Sequence, residues 1–226
     1  MSEIIEMLCL ANSRKLGGRC IAGLRTDGGG WIRPVGVGEK GIVGPAQYRI
    51  NHYGEVWSLD VVRMGTVKPV PCSYQPENVL LTGKPWLMVN RPADRETALP
   101  LINAALAHDA ALLGNTHDRV GEGALLEASL AILFPEDVRW RIQTGSQGKR
   151  QTRAVFLHTG TEYALSVTDP VIERRLQNLP EGDHDNRAAW LDGKCLLFTI
   201  SLGEPFAGFC YKLVAGVIVL PQDWRR

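Results

Sequence analysis

Thr199-Ile-Ser-Leu-Gly-Glu-Pro-Phe-Ala-Gly-Phe-Cys-Tyr-Lys-Leu-Val-Ala215 holds two apolar runs parted by a compact polar loop, Ser201, Gly203, Glu204 and Pro205. Apolar runs bounded by glycine and proline read as strands. Lys212 stands inside the second run, where solubility alone requires no charge. A lysine in a strand-like segment is either a snorkelling edge residue or part of a polar site, and Glu204 lies within reach to pair with it.

The same texture extends outward. Leu196 to Leu202 and Phe209 to Leu220 form the last strands. Val138-Arg-Trp-Arg-Ile-Gln143 alternates, which turns Val138, Trp140 and Ile142 inward and Arg139, Arg141 and Gln143 outward. The turn Gly145 to Gly148 leads to Arg153 through His158, and Gly160 leads to Tyr163 through Thr168. Asp169-Pro170 opens a short helix through Leu176, since aspartate caps well and proline suits the first turn. Asn178 to Ala189 is polar and reads as a surface loop.

Towards the N-terminus, Met7 to Leu10, Cys20 to Leu24, Trp31 to Val35, Val56 to Arg63 and Thr66 to Val70 are short apolar or alternating runs. Gly17-Gly18, Gly36 to Gly44, Pro69 and Pro71 punctuate them, and Asp27-Gly28 is a hairpin signal. Short strands at this spacing suggest a barrel or sandwich. Between the two β regions, Thr97 to Leu113 places Leu99, Ile102, Leu106 and Ala110 at helical spacing, with Gly114 to end the helix.

The 226 residues suffice for one large domain or two small ones. A formal net charge of +1 argues against bulk coating of a polyanion. The five cysteines, Cys9, Cys20, Cys72, Cys195 and Cys210, are scattered and read as reduced core thiols, which implies a cytoplasmic protein. Met1-Ser-Glu-Ile-Ile-Glu6 is acidic and lacks a signal-peptide profile. Leu213 to Leu220, the longest apolar run, falls well short of the ~20 residues of a membrane span. A soluble protein without a membrane partner is expected.

Four stretches carry a resemblance: Arg19-Cys-Ile-Ala-Gly23, Gly30-Trp-Ile-Arg-Pro-Val35, Tyr163-Ala-Leu-Ser-Val-Thr-Asp-Pro170 and the opening stretch. Together, in this order, they resemble the bacterial dual OB-domain family over the chain from near residue 9 to near residue 220. The resemblance implies a mainly β fold with some α, in which two OB-like small β-barrels are joined by a helical segment. It places an N-terminal barrel over 1–95, a helical connector over 96–124 and a C-terminal barrel over 125–226. It also implies recognition of nucleic acid, in defence against foreign genomes.

Several clusters could carry such chemistry. Arg14, Lys15, Arg19, Arg25 and Arg33 crowd the first module. Arg139, Arg141, Lys149, Arg150 and Arg153 lie between Asp137 and Glu162 with no acid among them. Guanidinium forks match phosphates, and Trp31, Trp140 and Tyr163 could stack bases, although solvated arginines over core aromatics would look the same. Trp31 and Arg33 share a strand face, which suits cation–π stacking. Asn115-Thr-His-Asp-Arg119 concentrates four polar functions after the helix, and the family pattern favours Asn115, Asp118 and Arg119 over His117. Asp169 reads first as a helix cap, and beside Arg153 as part of an anion site. Ser201, Glu204 and Lys212 make either an acid/base group or an ion pair closing a turn.

No Walker loop, GxGxxG or HExxH is present, and His52, His108, His117, His158 and His184 are far apart, so neither cofactor nor metal is expected. Two main readings stand side by side. In one, the barrels recognise single-stranded, modified or non-self nucleic acid through Arg19, Trp31, Arg33, Asn115, Arg119, Arg139, Arg141 and Arg153, with a protein partner in a defence system. In the other, an enzyme acts on nucleic acid or a nucleotide by base excision or phosphodiester cleavage, with Asp118, Asp169, Glu204 and Lys212 as catalytic candidates between the barrels. An adaptor offering its β surface to protein partners is a third.

Overall fold

The computed structural model describes residues 3–15, 17–38, 41–145 and 148–224. Met1 and Ser2 of the acidic N-terminus, Glu39 and Lys40 of the Gly36–Gly44 stretch, and Ser146 and Gln147 of the Gly145–Gly148 turn lie outside them. The chain is mainly β and divides into two compact units, Met1–Leu106 with Leu125–Ser129, and Ala107–Ala124 with Leu130–Arg226.

In the first unit the elements are β1 (Glu3–Lys15), β2 (Gly18–Arg25), β3 (Trp31–Val35), α1 (Pro45–Tyr48), β4 (Arg49–Ile50), β5 (Gly54–Glu55), β6 (Val61–Pro69), β7 (Asn78–Leu81), β8 (Leu87–Asn90) and α2 (Arg95–Ala105). Strands pair in the order β1-β2-β3-β7-β6, and β6 returns to β1, which closes a five-stranded barrel. The β3–β7 pairing is parallel and the others are antiparallel. β1 serves two neighbours because it bends: its register with β2 shifts between Cys9 and Ala11, and a bulge there sharpens the twist. Gly23 fits that bend, since a Cβ would lie 2.0 Å from the Leu8 carbonyl oxygen. Inward side chains, among them Met7, Ile21, Ile32, Val62, Met64 and Trp86, form the core. The expected strands Val56 to Arg63 and Thr66 to Val70 overlap one continuous strand, β6, which begins only at Val61, and Val56 to Asp60 lie outside any strand.

The helix is shorter than its apolar spacing predicts. α2 is capped by Asp94, which accepts a 2.7 Å bond from the Thr97 amide, and ends at Leu106 in an extended conformation. The Ala107 amide instead donates to the Ile132 carbonyl at 2.8 Å, so the chain joins the second unit there. A short 3-10 turn at Leu112–Gly114 follows, with Leu112 buried in the second core.

The second unit holds β9 (Arg119–Gly121), β10 (Leu130–Leu133), β11 (Glu136–Thr144), β12 (Arg150–His158), β13 (Thr161–Val167), α3 (Pro170–Leu176), β14 (Gly182–His184), β15 (Cys195–Phe206) and β16 (Phe209–Leu220). Here β11-β12-β13-β16-β15 repeats the order β1-β2-β3-β7-β6, again with one parallel pairing, β13–β16. Among the described residues β14 occupies the outer edge of β11. Both units thus carry the five-stranded arrangement of an OB barrel. Asn178 to Ala189, expected as loop, contains β14 and a buried Ala189.

The polar loop expected at Ser201–Pro205 lies within β15 as a register shift between Leu202 and Pro205. The turn itself is Ala207-Gly208. Both residues have positive φ, 52° and 82°, the signature of a two-residue primed hairpin. Among the described residues no helix is long and apolar enough to cross a membrane.

Candidate functional site

Lys212 is 2% exposed, and its ammonium is fully engaged. It donates to the Asn115 carbonyl at 2.8 Å, the Asn115 side-chain oxygen at 2.9 Å and the His117 carbonyl at 2.7 Å. Its backbone amide donates to the Asp118 carbonyl at 2.8 Å. Asn115 completes the knot: its Oδ1 accepts from the His117 amide and its Nδ2 donates to the Arg119 carbonyl. Lys212 therefore fixes the 115–119 loop, and does so in place of the Glu204 pairing expected from sequence. Burial lowers its pKa to about 8, against an opposing pull from the Asp118 carboxylate. The Tyr163 ring lies 5.7 Å from the amine. The Tyr163 hydroxyl accepts from the Leu112 amide at 3.1 Å and donates to the Ala110 carbonyl.

With the loop held, β9 lays Arg119 along β16. Its guanidinium sits 4.7 Å from the Phe209 ring centre and 5.8 Å from that of Tyr211. Arg119 is 46% exposed, with Asp118 at 4.0 Å as a loose ion pair. Phe206 and Phe209, cross-strand partners on either side of the hairpin turn, are 73% and 39% exposed. Asn115, His117, Asp118, Arg119, Gly121 and Phe209 line a surface concavity of about 360 Å³. An exposed guanidinium stacked on exposed aromatics can hold a phosphate while a planar group stacks alongside. Phe206, Phe209 and Tyr211 were not singled out from sequence. The signal was the Phe-Ala-Gly-Phe run, in which a turn pair is flanked by two aromatics.

The other candidates are placed differently. Arg33 is buried in the first unit. It donates to Glu77 at 2.9 Å, to the Cys20 sulfur at 3.1 Å and to the Ser129 hydroxyl at 2.8 Å. Glu77 in turn accepts from the Ser129 amide at 3.2 Å and from its hydroxyl. Trp31 is half-buried. Arg19 bonds Glu55 at 2.8 Å and lies 5.6 Å from the Tyr48 ring.

In the second unit Trp140 is fully buried, its indole donating to Asn186 at 3.0 Å, and Tyr163 is 2% exposed. Arg139 pairs with Glu162 at 2.9 Å, and Arg141 grips Asp183 through two bonds of 2.7 and 2.9 Å. Neighbouring strands thus supply the acids that the linear stretch lacked. Arg153 donates to Ser166 at 3.3 Å and to the Ala164 carbonyl. Asp169 caps α3 through the Val171 and Ile172 amides and binds the Val217 amide at 2.9 Å, and burial raises its pKa. Ser201 is buried and donates to the Leu202 carbonyl at 3.3 Å. Asp118 and Lys212 share the loop site, whereas Asp169 is engaged at α3 and Glu204 lies in the irregular part of β15. Among the described residues no group of three or more His, Cys, Asp or Glu is placed to hold a metal.

A family model described as a dual OB-containing domain matches residues 5–217. None of the curated proteins matches the chain. Among solved structures, a replication protein A heterotrimer bound to ssDNA is similar with a TM-score of 0.40 and 9% identity, over 97% of this chain and 49% of that one. The chain thus spans about half the length of that structure's chain.

Proposed function

The chain belongs to the dual OB-containing domain family, and from that premise we propose that it recognises single-stranded nucleic acid at the tip of the β15–β16 hairpin. The observation that carries this reading is Arg119, stacked on Phe209 and Tyr211 beside the exposed Phe206. The hairpin joins the fourth and fifth strands of its barrel, and OB barrels engage oligonucleotides through the loop at that position. Backbone phosphates meet Arg119, and bases stack on Phe206 and Phe209. Arg139 and Arg141 add exposed forks that exchange their acid partners for phosphates, since exposed pairs hold by about 1 kcal/mol or less. A near-neutral chain with local arginines suits selection of a particular strand, and we place it as a cytoplasmic bacterial sensor of modified or non-self nucleic acid acting with a protein partner in defence.

Fluorescence anisotropy with labelled single-stranded DNA and RNA at several salt concentrations tests this. Phe209→Ala is expected to weaken binding by about 1–3 kcal/mol, and Arg119→Ala to flatten the salt slope by about 0.7. Unchanged affinity and slope in both variants would remove the hairpin from the reading.

An enzymatic reading draws on one observation, the lysine with lowered pKa beside Asp118. It predicts cleaved or alkali-labile strands on a denaturing gel after incubation, and intact strands count against it.

A further inference from the structure

Lys212 lies too deep to meet a strand itself. Its ammonium gives one hydrogen bond each to the Asn115 carbonyl, the Asn115 side-chain oxygen and the His117 carbonyl, which uses every donor an ammonium has. A neutral amine keeps two N–H groups and gains a lone pair, so one of those three oxygens would then face a lone pair. The loop so tied lines the concavity that holds Arg119. β9, which carries Arg119, is three residues long, and Arg119 sits across from Tyr211, the residue before Lys212. The Asn115 amide links the two cations: its Oδ1 takes a proton from Lys212, and its Nδ2 donates to the Arg119 carbonyl at 3.0 Å.

We propose that Lys212 is a positioning residue for strand binding, whose ammonium holds Arg119 over Phe209 and Tyr211 and whose neutral amine lets it go. This role rests on the hairpin reading above and makes a proton the regulator of that site. The Asp118 carboxylate of the loop favours the ammonium, and His117 meets it through the backbone carbonyl. Tyr163 of β13 presents its ring at 5.7 Å and a hydroxyl whose pKa burial raises, while Leu202 stands opposite on β15. Burial brings the amine to about 8, so the proton leaves under mildly alkaline conditions.

The test is anisotropy at constant salt with an oligonucleotide of adenine and cytosine, bases that lose no proton in the range, from about pH 7 to about 9.5. Wild-type affinity should hold to about pH 8. It should then fall, by up to about tenfold one pH unit higher, towards the affinity of Arg119→Ala. Arg119→Ala should show no such fall. Lys212→Met should bind weakly at every pH, and the double variant no more weakly than Arg119→Ala, because both changes remove one contact. Lys212 makes the fold more stable over the same range, so a purely structural lysine gives no loss of affinity there.

A flat wild-type profile overturns the role, as does a fall that persists in Arg119→Ala, which would put the titrating group elsewhere. Losses that add in the double variant overturn it too, since Lys212 would then act apart from Arg119. Should Lys212→Met not fold, the wild-type and Arg119→Ala profiles decide alone. If Arg119→Ala binds as wild type does at neutral pH, the hairpin reading falls and this role with it. Weak binding by Arg119→Ala beside a flat wild-type profile removes the positioning role alone.

Discussion

Removing Arg33 tests whether a buried ion pair holds the first unit together. Arg33 and Glu77 are 2% and 5% exposed, so Arg33→Met leaves a carboxylate inside the fold with only the Ser129 amide and hydroxyl. Breaking a buried pair from one side costs about 3–5 kcal/mol. A domain has about 5–15 kcal/mol in all, so the variant loses a large part of this unit's stability. With a urea dependence of about 1.5 kcal/mol per molar, its midpoint falls by about 2–3 M. Urea unfolding with hydrogen exchange reads each unit separately: amides in β2 and β3 should lose protection while those in β12 and β13 keep it. Arg33→Met with Glu77→Leu replaces the pair by apolar groups and should recover most of the loss. A single-variant shift below about 0.5 M, or a double variant no better than the single, would refute the reasoning.

Lys212, held to about 8 by burial, is protonated in both states below that pH. Between about 8 and its ordinary 10.5 only the unfolded chain keeps the proton, so folded stability rises with pH across this window, by up to about 3 kcal/mol. Lys212→Met should abolish the rise, and an equal wild-type-to-variant difference at both ends of the window contradicts a depressed amine. Asp169→Ala should cost about 2–3 kcal/mol in chemical denaturation, since it orphans three backbone amides, and Asp169→Asn should cost less because one acceptor oxygen remains. Arg139→Ala with Arg141→Ala should change stability by less than about 1 kcal/mol per pair, with any phosphate role appearing as a lower salt slope in anisotropy. Ala207→Asn suits the left-handed turn position better than alanine and should raise the melting temperature by about 4 °C or more in calorimetry.

Patterns local in sequence translated well into structure. Trp31 to Val35 and Phe209 to Leu220 are β3 and β16 as expected, and Asp169-Pro170 does open α3. The alternation around Trp140 set its burial, because residue parity on a strand fixes the face. What failed was non-local. The apolar spacing that ran on to Leu113 could not reveal that Ala107 would find a carbonyl on β10. An acid-free run from Arg139 to Arg153 gave no sign that Glu162 and Asp183 would lie across the strands. At the loop site, the 115–119 cluster and Lys212 each stood out alone. Their union spans almost a hundred residues, and the nearer Glu204 looked the better partner. Arg33 was conspicuous for its chemistry, but only the fold could tell that its fork closes on Glu77 and Ser129.

The return of residues 125–129 to the first unit also bears on synthesis and dissection. A nascent chain that has emerged as far as Leu106 carries Arg33 and Glu77 but still lacks Ser129, the hydroxyl and amide that complete their hydrogen bonding. The first barrel therefore matures only after the polypeptide has already laid down part of the second. A gene truncated at either apparent junction would cut one unit's last stitch or leave it dangling from the other. Shuffling these barrels as cassettes would require carrying the 125–129 segment along with the first.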